Sequence, residues 1–561
     1  MATLPSILFC GSSLFVLPVS ACGARSSLEL GATLEGGSGR VDANGGTAHP
    51  FAGGPSAGTG GGSGGTAGSG AGGGSGGAAG SGAGGTSARS CQFGEFSPSG
   101  FEPCQRWRDC PLGSYVSAQG TTIRDRECTQ CPSGQTTTAS NSAQCEPISV
   151  VDVGAGLNTS CAVLSAGTIS CWGDNQASLL GHVNQVNIGD DELPASLPPV
   201  TVSASGIGVS KMALGGFTAC ALFVDGSVKC WGSGFYGETG QGDKKDLGGD
   251  EPLASIPPIS VTLAPGVTAT QIAANNHVCA LLSNGSVQCW GQNASGELGQ
   301  GNTRSIGDDE LPSSVKPVSL SQVAGVTATQ IGVGFYHTCA LLSDKSVKCW
   351  GDNTYGQLGY GNTQNIGDNE QPSSVGPVSV TTIPGVTVSA IAVGGFLSCA
   401  LLSNGSAKCW GYNLEGRLGY GNAANIGDDE LPSSVGPISF STTPGVTVRS
   451  ITTGGLHSCV ILSNDSVKCW GSNLFGELGY GHTRDIGDDE LPSSAGAVSV
   501  TSIPGVTVKK LGLGRVHTCA LLSDGSVKCW GEGYYGALGY GNTDNIGDDE
   551  LPSSRGPVRI L

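Results

Sequence analysis

The sequence predicts an all-β fold built of repeats, and three observations carry the prediction. The first is a fixed period. Trp172, Trp231, Trp290, Trp350, Trp410, Trp470 and Trp530 follow one another at intervals of 59, 59, 60, 60, 60 and 60 residues, which marks one supersecondary unit copied seven times. The second is composition: 96 glycines and 12% charged residues in 561 favour turns and short strands over helices. The third is alternation. In the unit spanning residues 325–380, apolar positions alternate in QIGVG, TCALL and SVKCW between turn signals at LSDK and WGDNTYG, the pattern of a β-meander.

The chain opens with MATLPSILFCGSSLFVLPVSACGARSS, an apolar run that ends in Val19-Ser20-Ala21-Cys22. This stretch resembles the bacterial lipobox, so residues 1–21 are expected to be a signal peptide of lipoprotein type and Cys22 the lipidated residue; the n-region departs from the usual pattern in carrying no Lys or Arg. Residues 22–90 are dominated by Gly, Ser, Ala and Thr, with too few large apolar side chains to offset the entropy of ordering. They are expected to form a tether with a root-mean-square reach of ~45 Å. No later run approaches the roughly 20 apolar residues that span a bilayer, so any membrane contact is expected only through the lipid anchor.

Residues 91–147 hold six cysteines, Cys91, Cys104, Cys110, Cys128, Cys131 and Cys145, with little apolar material for a core. Such small exported modules are held by disulfides. The pieces C-P-x-G-x-Y, T-x-x-R-D-x-x-C and C-x-x-C-P-x-G are similar to the cysteine-rich ectodomain repeats of tumour-necrosis-factor and ephrin-type receptors. A zinc site at Cys128 and Cys131 is disfavoured, because no second C-x-x-C or histidine pair lies nearby.

From residue 148 to 561 each unit carries two cysteines ten apart: Cys161 and Cys171, Cys220 and Cys230, Cys279 and Cys289, Cys339 and Cys349, Cys399 and Cys409, Cys459 and Cys469, Cys519 and Cys529. Placing each pair face to face centres a three-residue loop, of the kind that carries a type I turn and a glycine bulge. Gly167, Gly226, Gly285, Gly405 and Gly525 stand at the bulge position, with Asp465 and Lys345 in the other two units. Directly opposed cysteines lie within disulfide reach, so seven staples are expected. With Cys10 removed and Cys22 lipidated, an even set of twenty cysteines remains of the 22, as an oxidising compartment requires.

The string H-T-C-A-L-L-S-D-G-S-V-K-C-W-G-x-N-x-x-G-x-L-G-x-G-N resembles the repeat of the regulator of chromosome condensation family, including its bacterial exported members. The resemblance implies a seven-bladed β-propeller with four-stranded antiparallel blades. The last strand, residues 556–561, is expected to complete the first blade and so close the ring. The family's eukaryotic founder exchanges nucleotide on a nuclear GTPase, but these units hold no insertion to act as an exchange wedge. A secreted β-lactamase inhibitor protein with the same propeller fits the compartment better, and implies binding across one face of the ring.

Positions alike in every unit are expected to be scaffold, because one asymmetric ligand has no use for seven copies of a group. The Trp after the second cysteine is expected to pack between blades. His277, His337, His457 and His517 share one position and are expected to be hydrogen-bonded turn residues. Specificity belongs where the units differ, at strand ends: Phe217, Phe235, Tyr236, Phe335, Tyr336, Tyr355, Phe396, Phe475, Arg515, Tyr534 and Tyr535 are the candidate binding residues. No nucleophile or acid–base pair stands out, and no catalytic residue is assigned.

The string IGDDELP or a variant occurs once per unit, at 188–194, 247–252, 306–312, 366–372, 426–432, 486–492 and 546–552. Consecutive carboxylates in an extended chain point to opposite sides, so Asp308, Asp309 and Glu310 reach one Ca²⁺ only across a tight turn; no other cofactor is expected. The formal charge of −18 opposes nucleic-acid binding. The expected function is recognition of a protein or surface polymer by a monomeric propeller, outside the cytoplasm, secreted or at the bacterial outer surface. The alternatives are an extracellular hydrolase or lyase, which needs a deep axial pocket lined by unlike charged groups, and a guanine-nucleotide exchange factor.

Overall fold

The computed structural model describes residues 89–561 apart from 111–112, 133 and 138–139. The expected signal peptide, Cys10, Cys22 and nearly all of the tether lie outside the described residues. No helix among the described residues is long and apolar enough to cross a membrane.

Disulfides replace a core in the cysteine-rich module. Cys91 is bonded to Cys104, Cys110 to Cys128 and Cys131 to Cys145, so Cys128 and Cys131 are both committed to sulfur and bind no zinc. Three two-stranded antiparallel sheets accompany them: Glu95–Phe96 with Gln105–Arg106, Ser114–Ala118 with Glu127–Gln130, and Gln135–Thr136 with Glu146–Pro147.

The repeats form seven antiparallel sheets of three strands. Blade 4 shows the plan: Ala328–Val333, His337–Leu342 and Val347–Gly351. Cys339 lies directly opposite Cys349, with 4.1 Å between their Cα atoms. All seven predicted staples are formed. Cys161 is bonded to Cys171, Cys220 to Cys230, Cys279 to Cys289, Cys339 to Cys349, Cys399 to Cys409, Cys459 to Cys469 and Cys519 to Cys529. Each ties the second strand of its blade to the third. The hairpin loop has three residues, as the spacing demands. Its third residue is left-handed in every blade, including Lys345 at φ 71° and Asp465 at φ 66°, where L side chains are disfavoured.

The fourth strand is present only as an extended outer segment joined to the third strand by a backbone hydrogen bond, as from Val378 N to Val347 O at 2.9 Å. Its prolines, as in Gly376-Pro377-Val378, lack the donors of a longer ladder. This segment overturns the expected closure. Val558 N bonds to Val527 O in its own blade at 2.8 Å, while blade 1 takes its outer segment from within its own repeat, Val200 pairing with Ile169. The last segment therefore stays with the last blade. The ring closes instead through the contacts used at other seams: Arg515 N to Gly156 O at 3.2 Å, Ala195 N to Arg559 O at 3.0 Å and Gly541 N to Gly189 O at 3.0 Å.

First strands of neighbouring blades touch one another, so they line the axis. The glycines that follow several of these strands abut. A Cβ on Gly394 would stand 2.5 Å from Gly454 O, and one on Gly514 would stand 2.5 Å from Gly156 O, so the close approach at the axis requires glycine. Buried side chains of all seven blades form one continuous core.

Candidate functional site

Scaffold chemistry fills the seams. Trp350 is fully buried, and its indole Nε1 donates to Glu297 O of blade 3 at 2.9 Å; Trp172, Trp231, Trp290, Trp470 and Trp530 do the same across their own seams. The histidines are not turn residues. They open the middle strands, buried, and each Nε2 meets a hydroxyl of the next blade: His277 with Thr338 at 2.6 Å, His337 with Ser398 at 3.0 Å, His457 with Thr518 at 2.7 Å and His517 with Ser160 at 2.9 Å. Each of these hydroxyls spends its proton on a backbone carbonyl, as Thr338 Oγ1 does on Glu297 O at 3.0 Å. Nε2 must therefore carry the ring's proton. Burial drives His277, His337 and His457 down to about 3 and His517 to about 4, so all four are neutral.

A second buried class, of cations, went unread in the sequence. Lys229, Lys348, Lys408, Lys468 and Lys528, the lysines of the KCW motif, are buried on the third strand. Their ammonium groups donate to backbone carbonyls at the blade rim; Lys229 Nζ reaches Val202 O at 2.7 Å and Leu253 O at 2.8 Å. Blade 3 has Gln288 there, whose amide makes the same contact with Pro312 O at 2.7 Å.

The turns between first and second strands and the loops after the third strands leave from the same end of the blades, because Thr159 pairs with Gly173 and His337 with Gly351. Every candidate binding residue lies at this end. The face they share carries aromatic side chains and acidic strings together.

Five rings form a continuous cluster on blades 4 and 5. Phe335 meets Phe396 edge-on with centroids 5.2 Å apart, Tyr336 lies 6.2 Å from Phe396, Tyr355 lies 5.7 Å from Phe396, and Tyr412 lies 4.3 Å from Tyr355. The Arg417 guanidinium sits over Tyr412 at 5.1 Å and pairs with Glu415 at 2.7 Å. Elsewhere on the face the rings are exposed, Phe217 at 51%, Phe235 at 64%, Tyr236 at 41% and Tyr534 at 58%, with Phe235 edge-on to Tyr236 at 4.8 Å and Tyr534 to Tyr535 at 4.3 Å. Tyr535 is held at φ 61°, and Phe475 is half-buried. Arg515 and Phe335 line a depression at the axis, about 50 Å³ in volume, whose other walls are Ala155, Leu157, Leu214, Asn275, Leu513 and backbone glycines.

Tyr412 and Arg417 were missed by the sequence reading. Both occupy positions that differ between units, with Asp, Ser, Gln or Glu where Tyr412 stands and Leu, Glu, Gln or Ala where Arg417 stands, so the rule of divergence was sufficient to find them.

The acidic strings belong to the loops that follow the third strands. Ile188, Ile306 and their counterparts bridge to the glycine after the tryptophan, and the chain then bends. The bend brings one carboxylate oxygen from each of Asp308, Asp309 and Glu310 within 4.8 Å of one another, and the same holds for 190–192, 428–430, 488–490 and 548–550. Such oxygen-only triads are the donor type of a hard cation such as Ca²⁺. A proton competes for the place. Partial burial, then a hydrogen bond with Asp309, raises Glu310 to about 7, and Glu192, Glu430 and Glu490 are raised to about 7 in the same way. Burial also raises Glu238, Glu297 and Glu477 to about 7; these side chains brace the loops, as Glu238 Oε2 does by accepting from Tyr236 N at 2.8 Å.

The chain is similar to known proteins over its repeats. The family of the regulator of chromosome condensation (RCC1) repeat matches at 150–178, 209–238, 271–297, 328–357, 388–417, 448–477 and 508–537, and a second description of the same repeat matches at 346–401. The ultraviolet-B receptor UVR8 of Arabidopsis thaliana is 27% identical over 408 residues, 72% of this chain and 82% of the receptor. The probable E3 ubiquitin-protein ligase HERC6 of Homo sapiens is 31% identical over 258 residues, 46% of this chain but 22% of the ligase. Among solved structures, yeast RCC1 (Prp20) bound to Kap60 aligns with a TM-score of 0.51 at 20% identity, covering 72% of this chain and 84% of that one. Human WBSCR16 aligns with a TM-score of 0.52 at 18% identity, covering 67% and 92%.

Proposed function

Starting from a chain whose propeller is made of seven regulator of chromosome condensation repeats, and which so belongs to that repeat family, we propose that it is a non-enzymatic recognition protein that engages a protein partner across the aromatic and acidic face. One observation carries the reading: exposed Phe217, Phe235, Tyr236 and Tyr534 and the five-ring cluster of blades 4 and 5 all lie at one end of a rigid, disulfide-stapled ring. Aromatic and arginine side chains on a rigid support are the usual anchors of protein interfaces. The hydrolase alternative needs unlike charged groups in a deep axial pocket. The axial depression, at about 50 Å³ with Arg515 as the charged side chain of its lining, is far smaller than the roughly 300–1,000 Å³ of small-molecule sites. A protein partner is in keeping with the yeast relative, solved in complex with Kap60.

The ten disulfides among the described residues point to an oxidising compartment. Within this reading the protein is exported and held at the cell surface through lipidated Cys22, and nonreducing against reducing mass mapping, with the mass of the Cys22 peptide, tests that part. The face is tested by placing a photo-crosslinking residue at Phe235 or Tyr534, and as a control at Lys345 on the opposite hairpin ends, before exposure to cell-surface extract. Specific adducts are expected from the first two positions; equal yields from all three would reject the face.

A further inference from the structure

Charge in this protein is segregated. The seven loops that run from each WG pair to the end of its acidic string (174–193, 233–252, 292–311, 352–371, 412–431, 472–491 and 532–551) hold 30 of the 44 Asp and Glu residues and 5 of the 26 Lys and Arg residues. Their formal charge is −25, against −18 for the whole chain, so the remainder is net positive. All seven loops leave from the aromatic end of the blades.

The acidic bends are also seated against the aromatic-bearing loops of the preceding blade. A Cβ on Gly237, next to Phe235 and Tyr236, would strike the backbone of Gly307 and Asp308; Gly356, next to Tyr355, is placed likewise against Asp428; Gly476, next to Phe475, against Asp548; and Gly536, next to Tyr534 and Tyr535, against Asp190. At four seams, therefore, a loop that carries an aromatic ring is seated against the backbone of a carboxylate triad. Three of the five basic residues in these loops are already paired with acids of the same face: Lys244 with Asp308 at 3.1 Å, Lys245 with Asp243 at 3.3 Å and Arg417 with Glu415 at 2.7 Å.

From this juxtaposition we infer that the partner presents a cationic polypeptide segment, rich in Lys and Arg, that lies along the face with its charged heads toward the triads and its stems and guanidinium planes on the rings. The inference rests on the reading of this face as the docking surface. Carboxylates supply long-range attraction, and aromatic faces attract a cation within about 6 Å of the ring centre, guanidinium more often than ammonium. An anionic polymer would meet repulsion at these seams.

The test uses the full chain with its disulfides intact, and calorimetry with ten-residue peptides of arginine, lysine, glutamate and alternating Gly-Ser. Deca-arginine is expected to bind more tightly than deca-lysine, with affinity falling at least about tenfold as NaCl rises from roughly 50 to 300 mM, and the other two peptides are not expected to bind. Tyr236→Ala combined with Tyr534→Ala, both exposed, should lower deca-arginine affinity at least about fivefold at unchanged melting temperature. Asp308→Asn with Asp309→Asn should lower both cationic affinities, whereas Asp344→Asn with Asp524→Asn, on the opposite hairpins, should not. Absence of cationic binding at the lower salt overturns the proposal; so does indifference to the tyrosine replacements, or an equal effect of the hairpin replacements. Concentration-dependent dimers in light scattering, abolished by the same tyrosine replacements, would assign the face to a second copy and also overturn it. The crosslinking experiment fails separately: a captured partner with an acidic contact segment rejects the cationic class and leaves the docking face standing.

Discussion

Replacing Lys229 by methionine isolates what the buried ammonium groups do. Methionine keeps the unbranched stem and most of the volume at a position 3% exposed, so packing is nearly conserved. What is lost is the donor to Val202 O and Leu253 O, at 2.7 and 2.8 Å. Hydrogen bonds to a charged donor contribute about 1.5–3 kcal/mol each, so the loss of two amounts to about 3–6 kcal/mol. Against this stands relief of the desolvation that already lowers the lysine's pKa, a return of several kcal/mol when a buried charge is removed. The expected net cost is about 1–3 kcal/mol. Lys229→Gln keeps two donors and copies Gln288 of blade 3, so its cost should stay below about 1 kcal/mol. Guanidinium denaturation followed by tryptophan fluorescence, with hydrogen exchange at the outer segment of blade 1 and the turn Leu253–Ser255, measures both variants. A methionine variant as stable as the parent, or a glutamine variant as damaged as the methionine one, would refute the reasoning.

Paired replacement of Cys339 and Cys349 by serine opens a staple ten residues long and should cost about 2–3 kcal/mol, read as a lower denaturant midpoint. Gly394→Ala places a Cβ 2.5 Å from Gly454 O and should lower the melting temperature by several degrees, whereas Gly385→Ala, with open space around it, should cost less despite its positive φ. Stability should rise as pH falls from about 8 to about 6. Glu238, Glu297 and Glu477, with Glu192, Glu310, Glu430 and Glu490 of the triads, are raised in the fold to about 7 and bind protons more tightly folded than unfolded. Their contribution is complete below about 4.5 and lost as pH climbs through about 7. The buried histidines act with the opposite sign. Their folded values of about 3 to 4 lie below the ordinary 6.5, so their contribution is complete above about 6.5 and declines as pH falls from there towards the folded values. The glutamates outnumber the four histidines and dominate between these two pH values. A guanidinium midpoint higher at the alkaline end would contradict the assignment.

What the sequence could reveal was whatever one repeat decides for itself. The ten-residue cysteine spacing set the hairpin register, and the register set the left-handed third loop residue, even where Lys345 stands in place of glycine. What it could not reveal was decided between repeats. The hydroxyl beside His337 belongs to Ser398, 61 residues on, so a histidine expected in a turn proved to be a seam residue. The lysine of the KCW motif looks like a solvated strand position until the following rim segment folds back over it. The closure has the same origin: the last segment matches the outer-strand pattern of the other units, and only a contact in the fold shows that blade 1 already holds an outer segment of its own, Val200 pairing with Ile169.

The same division between repeated and divergent positions explains how one surface can be both uniform and specific. The carboxylate triads recur because each serves its own seam, bending back onto the loop of the blade before it; around a closed ring, that repetition adds up to a field of one sign over one face. A field so distributed attracts partners of opposite charge without ranking them. Ranking needs asymmetry, and the rings supply it: they are dense on blades 4 and 5, paired on blades 2 and 7, and thin on blade 3, where Asn275, Asn276, Ala294 and Ser295 take their places. The repeated acids therefore set how fast a cationic partner arrives, and the unrepeated aromatics set which one stays. On that division, neutralising a triad should act mainly on the association rate and its salt dependence, while removing Tyr236 or Tyr534 should act mainly on dissociation. Stopped-flow kinetics separates the two, and an aromatic replacement that slowed association alone would remove the rings from the specificity argument.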